Sequence, residues 1–185
     1  MTATIRPGWA DAVLRFWFEE TTKEQWFKRD DAFDEALRQR FLSVHASVAA
    51  LPLEACLADA GTLLAATIVL DQFSRNMFRG TPAAFALDAK ALAIAQAAIV
   101  RGFDASLPET RRQFFYLPFE HAEDAGAQAR SVALFAPLGE DYLRWAEAHK
   151  VIIDRFGRFP HRNAVLGRTS TPEEIEFLEG PGSSF

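Results

Sequence analysis

The sequence predicts an all-α chain of seven to eight helices. Apolar side chains recur at three- and four-residue spacing, and residues that start and stop helices bracket those stretches. No run alternates with the two-residue period of a half-buried strand closed by hairpin turns. At 185 residues and 49% hydrophobic, the chain suits a single helical domain, 1–185, and is too apolar for disorder. Seventeen Phe and four Trp against two Tyr call for a core of aromatic bodies with few hydroxyls to satisfy.

Asp11 to Glu19 reads as a short helix capped by Asp11. Asp30 to about Ala50 is amphipathic: Phe33, Leu37, Phe41, Val44 and Val48 share a stripe, acids crowd the first turns, and Pro52 marks the end. A helix follows from Gly61 to about Phe78. The next opens at Thr81 or Asp88, with Phe85, Leu92, Ala95 and Ile99 as its buried stripe, and Gly102 closes it in a left-handed turn. Ser106 and Glu109 fit a capping box with Pro108 in the first turn. That helix runs through Leu117, where Pro118 predicts a kink or break. Gln128 to Phe135 and Glu140 to Phe156 follow, divided by Pro137 and Gly139. Thr171, Pro172 and Glu174 form a second capping box for a helix to about Leu178. The tail from about 180 to 185 is expected to fray.

Composition narrows the function classes. Net charge is −5, yet His149 to Arg168 holds five Lys or Arg against one acid, which leaves −9 for the rest. One positive locality in an acidic chain favours a small anion over a nucleic acid. The single cysteine, Cys56, allows no internal disulfide and fits the cytoplasm. Residues 1–9 lack an apolar core of signal-peptide length, and the longest apolar run, Leu63–Leu70, is too short to cross a membrane. Phosphate-loop glycines, a Gly-x-Ser-x-Gly elbow, His-Glu-x-x-His and Cys-x-x-Cys pairs are absent, so no cofactor is expected.

Polar chemistry concentrates in three places. Asp71, Arg75 and Arg79 fall at four-residue steps on one helix face, with Phe73 and Met77 turned to the core. Glu120, His121 and Asp124 follow the Pro118 break, where an imidazole beside carboxylates suits acid–base work; His-x-x-Asp spacing is too common to indicate a metal. Residues 155–163 set Arg155, Arg158, His161, Arg162 and Asn163 among Phe156, Phe159 and Pro160, with His149 two turns earlier. Asp154 is placed to pair with Arg158. Planar guanidiniums suit carboxylate or phosphate, but the same arginines could instead lock helices by pairing with Asp71, Glu120 and Asp124.

These segments also carry a resemblance. Val13–Phe18, Leu70–Thr81, Phe115–Asp124 and Arg155–Glu174 resemble, in order, the signature of the bacterial "domain of unknown function 924" family. Ser74 stands where Pro is expected and Ala122 where Ser is expected. The resemblance implies antiparallel helix pairs stacked as in the tetratricopeptide superfamily, and it implies no activity.

Three functions fit. The first is a pocket for a small anion or a peptide carboxylate, held by Arg75, Arg79, Arg158 and Arg162, oriented by His121, His149 and His161, and kept dry by Phe156 and Phe159. The second is a hydrolase or isomerase with His121 or His161 as acid or base and Glu120 or Asp124 orienting it. The third is a helical scaffold for another protein. The aromatic excess leaves room for a homodimer surface.

Overall fold

The computed structural model describes residues 7–183. Among them there is no strand, and eight α-helices reach seven residues or more. Most of the N-terminal stretch read for a signal peptide, and the last two residues of the tail, lie outside the described residues. The chain gathers into two compact units. One comprises residues up to Arg79 together with Ala83–Pro118; the other comprises Gly80–Pro82 and the residues from Phe119 onward.

In the first unit, α1 (Trp9–Arg15) starts at Gly8, whose φ of 75° suits a residue without Cβ, so Asp11 lies in the first turn rather than at the cap. It passes into a wider π-type turn, Phe16–Glu20. The Thr22–Gln25 capping box opens α2 (Lys23–Phe27). Asp30 caps α3 (Asp31–Ala50) by accepting from the Ala32 and Phe33 N–H groups. Then come α4 (Leu53–Cys56), α5 (Ala60–Ile68), a second π-type turn at Val69–Phe73, and α6 (Ser74–Met77).

The core is aromatic, as the composition requires. The fully buried Trp17 ring lies 5.5 Å from Phe73, 5.7 Å from Phe114 and 6.1 Å from Trp26. The Trp26 Nε1–H donates to the Trp17 carbonyl at 2.9 Å, which satisfies that indole. Phe33, Leu37, Phe41 and Val48 of α3 are buried as expected, whereas Val44 is half-buried and His45 takes the inner place.

The face of α7 (Asp88–Val100) corrects the expected stripe. Ala91, Ile94, Ala95 and Ala98 are buried, while Phe85, Leu92 and Ile99 are half-buried. The buried side is rich in small residues, and α7 packs against α5; alanines let two backbones approach closely. Gly102, with φ of 68°, ends α7 as predicted. Its N–H donates to Ile99 and that of Phe103 to Ala98, closing a Schellman turn. The stretch Pro82–Val100 is apolar and long enough to cross a membrane by length and composition alone, which the sequence reading passed over. Its regular helix spans 13 residues, about 20 Å, against a hydrocarbon core of about 30 Å.

From α7, Lys90 reaches back to the end of α3. Its ammonium donates to the carbonyls of Val48, Ala49 and Leu51 at 3.0, 2.9 and 2.5 Å, placing a cation at the negative end of the helix.

The helix α8 (Glu109–Glu120) corrects two expectations. Ser106 Oγ donates to the Phe103 carbonyl instead of capping, so the helix begins directly after Pro108. Pro118 does not break it; α8 runs two residues further and stops at Glu120. A proline in a last turn forfeits one backbone bond and leaves the preceding turns intact.

In the second unit, the Asp124 carboxylate caps α9 (Ala125–Phe135) through the Ala127 N–H at 2.7 Å. A 3-10 turn at Ala136–Leu138 leads to α10 (Glu140–Phe156), which packs on α9. Gly157, with φ of 69°, stops α10. After a 3-10 turn at Pro160–Arg162, the predicted Thr171–Glu174 capping box opens α11 (Pro172–Leu178). Ile152, Ile153 and Phe159 form a buried cluster, with Phe156 and Phe177 packed against it.

Glu174 joins α11 to the loop before it. Its carboxylate accepts from Arg158 at 2.6 and 2.8 Å, from Asn163 Nδ2 at 3.2 Å and from the Thr171 N–H at 2.8 Å. The Arg158 guanidinium, above all, holds this carboxyl down to about 2.

Two predictions follow from these contacts. Lys90→Met removes a charged donor from three carbonyls and should cost about 1–3 kcal/mol, a Tm loss of about 2–10 °C for a chain this size; an unchanged melting curve contradicts the role. For Glu174, the carboxylate form is favoured in the folded state, so its stabilisation is complete above the unfolded value of about 4.3 and disappears as pH falls toward 2. The difference in urea midpoint between the protein and Glu174→Gln should therefore shrink between pH 5 and pH 2. A difference independent of pH refutes the ion pair.

Candidate functional site

The segment between Gly157 and Thr171 is irregular, and charge holds it in place. Glu123 and Arg168 grip the Phe159 backbone from both sides. Glu123 Oε1 accepts the Phe159 N–H at 2.8 Å, and Arg168 Nη2 donates to the Phe159 carbonyl at 3.1 Å. The two side chains meet in a forked pair at 2.6 and 2.9 Å. Asn163 Oδ1 accepts from Arg168 Nε at 2.9 Å, and its amide reaches Ser170 and Glu174. Such a lattice fixes a loop whose regular structure is a single 3-10 turn, Pro160–Arg162.

What the loop presents is Phe159. Its ring is fully buried, and ionisable groups surround it. The His149 ring lies edge-on at 5.7 Å, His161 at 5.6 Å, and the Arg162 guanidinium stacks over it at 4.4 Å. The His121 ring lies 6.1 Å from His149, and Glu120 Oε1 lies 3.3 Å from His149 Nδ1. Glu120, His149 and Arg162 are buried, whereas His121 and His161 are half-buried. Gln128, fully buried on α9, sets the near edge. Its Nε2 donates to the Glu120 carbonyl at 2.6 Å and the Ala122 carbonyl at 2.8 Å, so α9 fixes where α8 ends and where Glu120 and His121 begin.

His149 Nδ1 lies 2.8 Å from the Trp145 carbonyl. A carbonyl only accepts, so the proton sits on Nδ1 and the lone pair on Nε2. Burial, reinforced by His121, holds this imidazole down to about 3. It is neutral at physiological pH, and so weak a base offers little drive for proton abstraction.

Elsewhere, candidate arginines meet carboxylates. Arg75 pairs with Asp71 at 3.0 Å, the expected four-residue step, and forks onto Asp88 at 2.9 and 3.0 Å. Arg79 leaves that face because α6 ends at Met77; it forks onto Asp34, which also accepts from Asn76. Arg155 pairs with exposed Glu173 and lies over Phe156, and Arg158 takes Glu174. Asp154 pairs with Lys150, one turn earlier, rather than with Arg158. Asp124 serves as the α9 cap rather than orienting a histidine. The positive locality is thus matched by Glu123, Glu173 and Glu174, which lie outside it in sequence.

Sequence reasoning missed Asp34 and the Glu123–Arg168 pair, whose partners lie 45 positions apart, and the buried Gln128. It also missed His45, whose Nε2 lies 2.8 Å from Ser74 Oγ, so the serine at the position where the family resemblance expects Pro makes a specific bond. Ser74 is fully buried, and a serine nucleophile must meet its substrate. An open hollow of the first unit is lined by Asp11, Leu14, Arg15, Glu19 and Arg111 among others, none of them candidate residues.

A solved protein of unknown function from Agrobacterium tumefaciens, ATU0120, is 46% identical, with a TM-score of 0.88 over 92% of this chain and 97% of that one. No curated protein matches. The model for bacterial proteins of unknown function (DUF924) matches residues 13–182, and the chain belongs to that family.

Proposed function

We propose that the groups around Phe159 bind a small molecule through an anionic group such as a carboxylate. The carrying observation is the arrangement of Arg162, His149 and His161 about one aromatic ring, with His121 and Glu120 beside them. A planar guanidinium and two half-buried imidazoles suit an anion such as a carboxylate. Arg75, Arg79, Arg155 and Arg158 each grip a carboxylate, and the reading centres on Arg162, His121, His149 and His161, which gather around Phe159.

An acid–base enzyme on these groups has less support, because His149 is too weak a base; His121 or His161 would have to act. A protein-binding scaffold also has less, because the exposed Phe27, Leu42, Val100, Trp145, Val151 and Ile175 are spread over five helices, with Trp145 and Val151 alone sharing one. The same proposal includes a cytoplasmic location and tetratricopeptide-like stacking. The single, buried Cys56 supports the first. The helix pairs α5 with α7 and α9 with α10 support the second.

The test is thermal shift against mono- and dicarboxylates and phosphate esters. A true ligand at 100 times its Kd adds about 2.7 kcal/mol, a Tm rise of about 5–10 °C. His161→Ala, at a half-buried site, should fold normally and lose most of that rise. A panel without any shift, or an equal shift in His161→Ala, overturns the reading.

A further inference from the structure

Glu120, His121 and His149 each offer one ligand atom, and the three atoms lie within 4.8 Å of one another. Ligands that share a tetrahedral transition metal at about 2.1 Å stand about 3.4 Å apart, so side-chain rotation must draw the group closer to bring it to bonding distance. We propose that these residues form a binding site for a divalent transition metal of the zinc or ferrous class. It does not rest on the anion reading.

The donor set suits such an ion. Two imidazoles and one carboxylate exclude a preference for calcium or magnesium, which take oxygen donors. Three protein ligands leave a coordination position open. The support around them is also that of a metal site. A metal-bound imidazole donates its other ring N–H to a carbonyl or carboxylate, which fixes its tautomer and orientation. His149 does this through Nδ1 to the Trp145 carbonyl, so Nε2 is its ligating nitrogen. Glu120 Oε1 now stands near Nδ1, so ligation requires its carboxylate to swing toward the Nε2 side. Gln128 holds the backbone at Glu120 from fully buried surroundings, so that the swing is confined to the side chain. The His-x-x-Asp pattern gave no hint of this, because the third ligand comes from α10 and Asp124 is committed to capping α9.

Cobalt(II) titrated into the metal-free full-length protein tests the inference. The expected result is one equivalent bound, with visible d–d bands of a low-coordinate ion displaced by zinc(II), and a zinc-dependent rise in Tm. His121→Ala, at a half-buried position, should keep its circular dichroism spectrum and lose affinity by more than the ~10–100-fold that removal of a supporting partner costs. Glu120→Gln should weaken binding as well. Absence of cobalt bands in the native protein, or equal affinity in a folded His121→Ala, overturns the site. Both readouts are independent of any anionic ligand, so failure here leaves the anion proposal standing, and failure of the anion screen leaves this one.

Discussion

The forked pair between Glu123 and Arg168 is the contact on which the C-terminal unit depends. Each partner spends a further bond on the Phe159 backbone, one on its N–H and one on its carbonyl. A segment with one short 3-10 turn leaves part of its peptide groups to other partners. At Phe159 side-chain charge supplies them, beside the Arg162 N–H that also donates to its carbonyl. The consequence is a fixed Phe159, and around it the imidazoles and guanidinium that make this region chemically distinctive.

The same logic recurs through the molecule. Asp34 gathers Arg79 and Asn76, Asp88 holds Arg75, Glu174 holds Arg158, and the Lys90 ammonium covers the end of α3. Removing one member of a buried charge pair leaves the other desolvated and uncompensated, which costs more than the pair itself contributes. These arginines therefore look like ligand-binding residues in the sequence and act as struts in the structure. The imidazoles of His149 and His161 gather instead at Phe159, with His121 beside His149.

Local signals were legible. Asp30 caps α3, Gly102 and Gly157 stop their helices, and Thr171 with Glu174 builds a capping box, because each depends only on residues within a turn. The Asp71–Arg75 step was legible for the same reason. The buried face of α7 was not: Asp88–Val100 is apolar nearly all round, so helical spacing cannot select a face. Asp34 read as an acid favoured by the helix dipole, whereas its partner lies 45 positions on. Asp124 could have been read correctly, since an acid directly before an apolar helix is a cap signal; its neighbour His121 drew the catalytic reading instead. Gln128 carried no signal, because one glutamine on a helix gives no indication that it is fully buried.

The central claim is that charge pairing, rather than apolar packing, immobilises the Phe159 loop. Amide hydrogen exchange in Glu123→Gln measures it directly. The account predicts that amides from Phe159 through Arg168 lose about 10- to 100-fold of their protection, the loss of a charged hydrogen bond worth about 1.5–3 kcal/mol, while α3 and α5 exchange as before. Protection that is unchanged across the loop would contradict it.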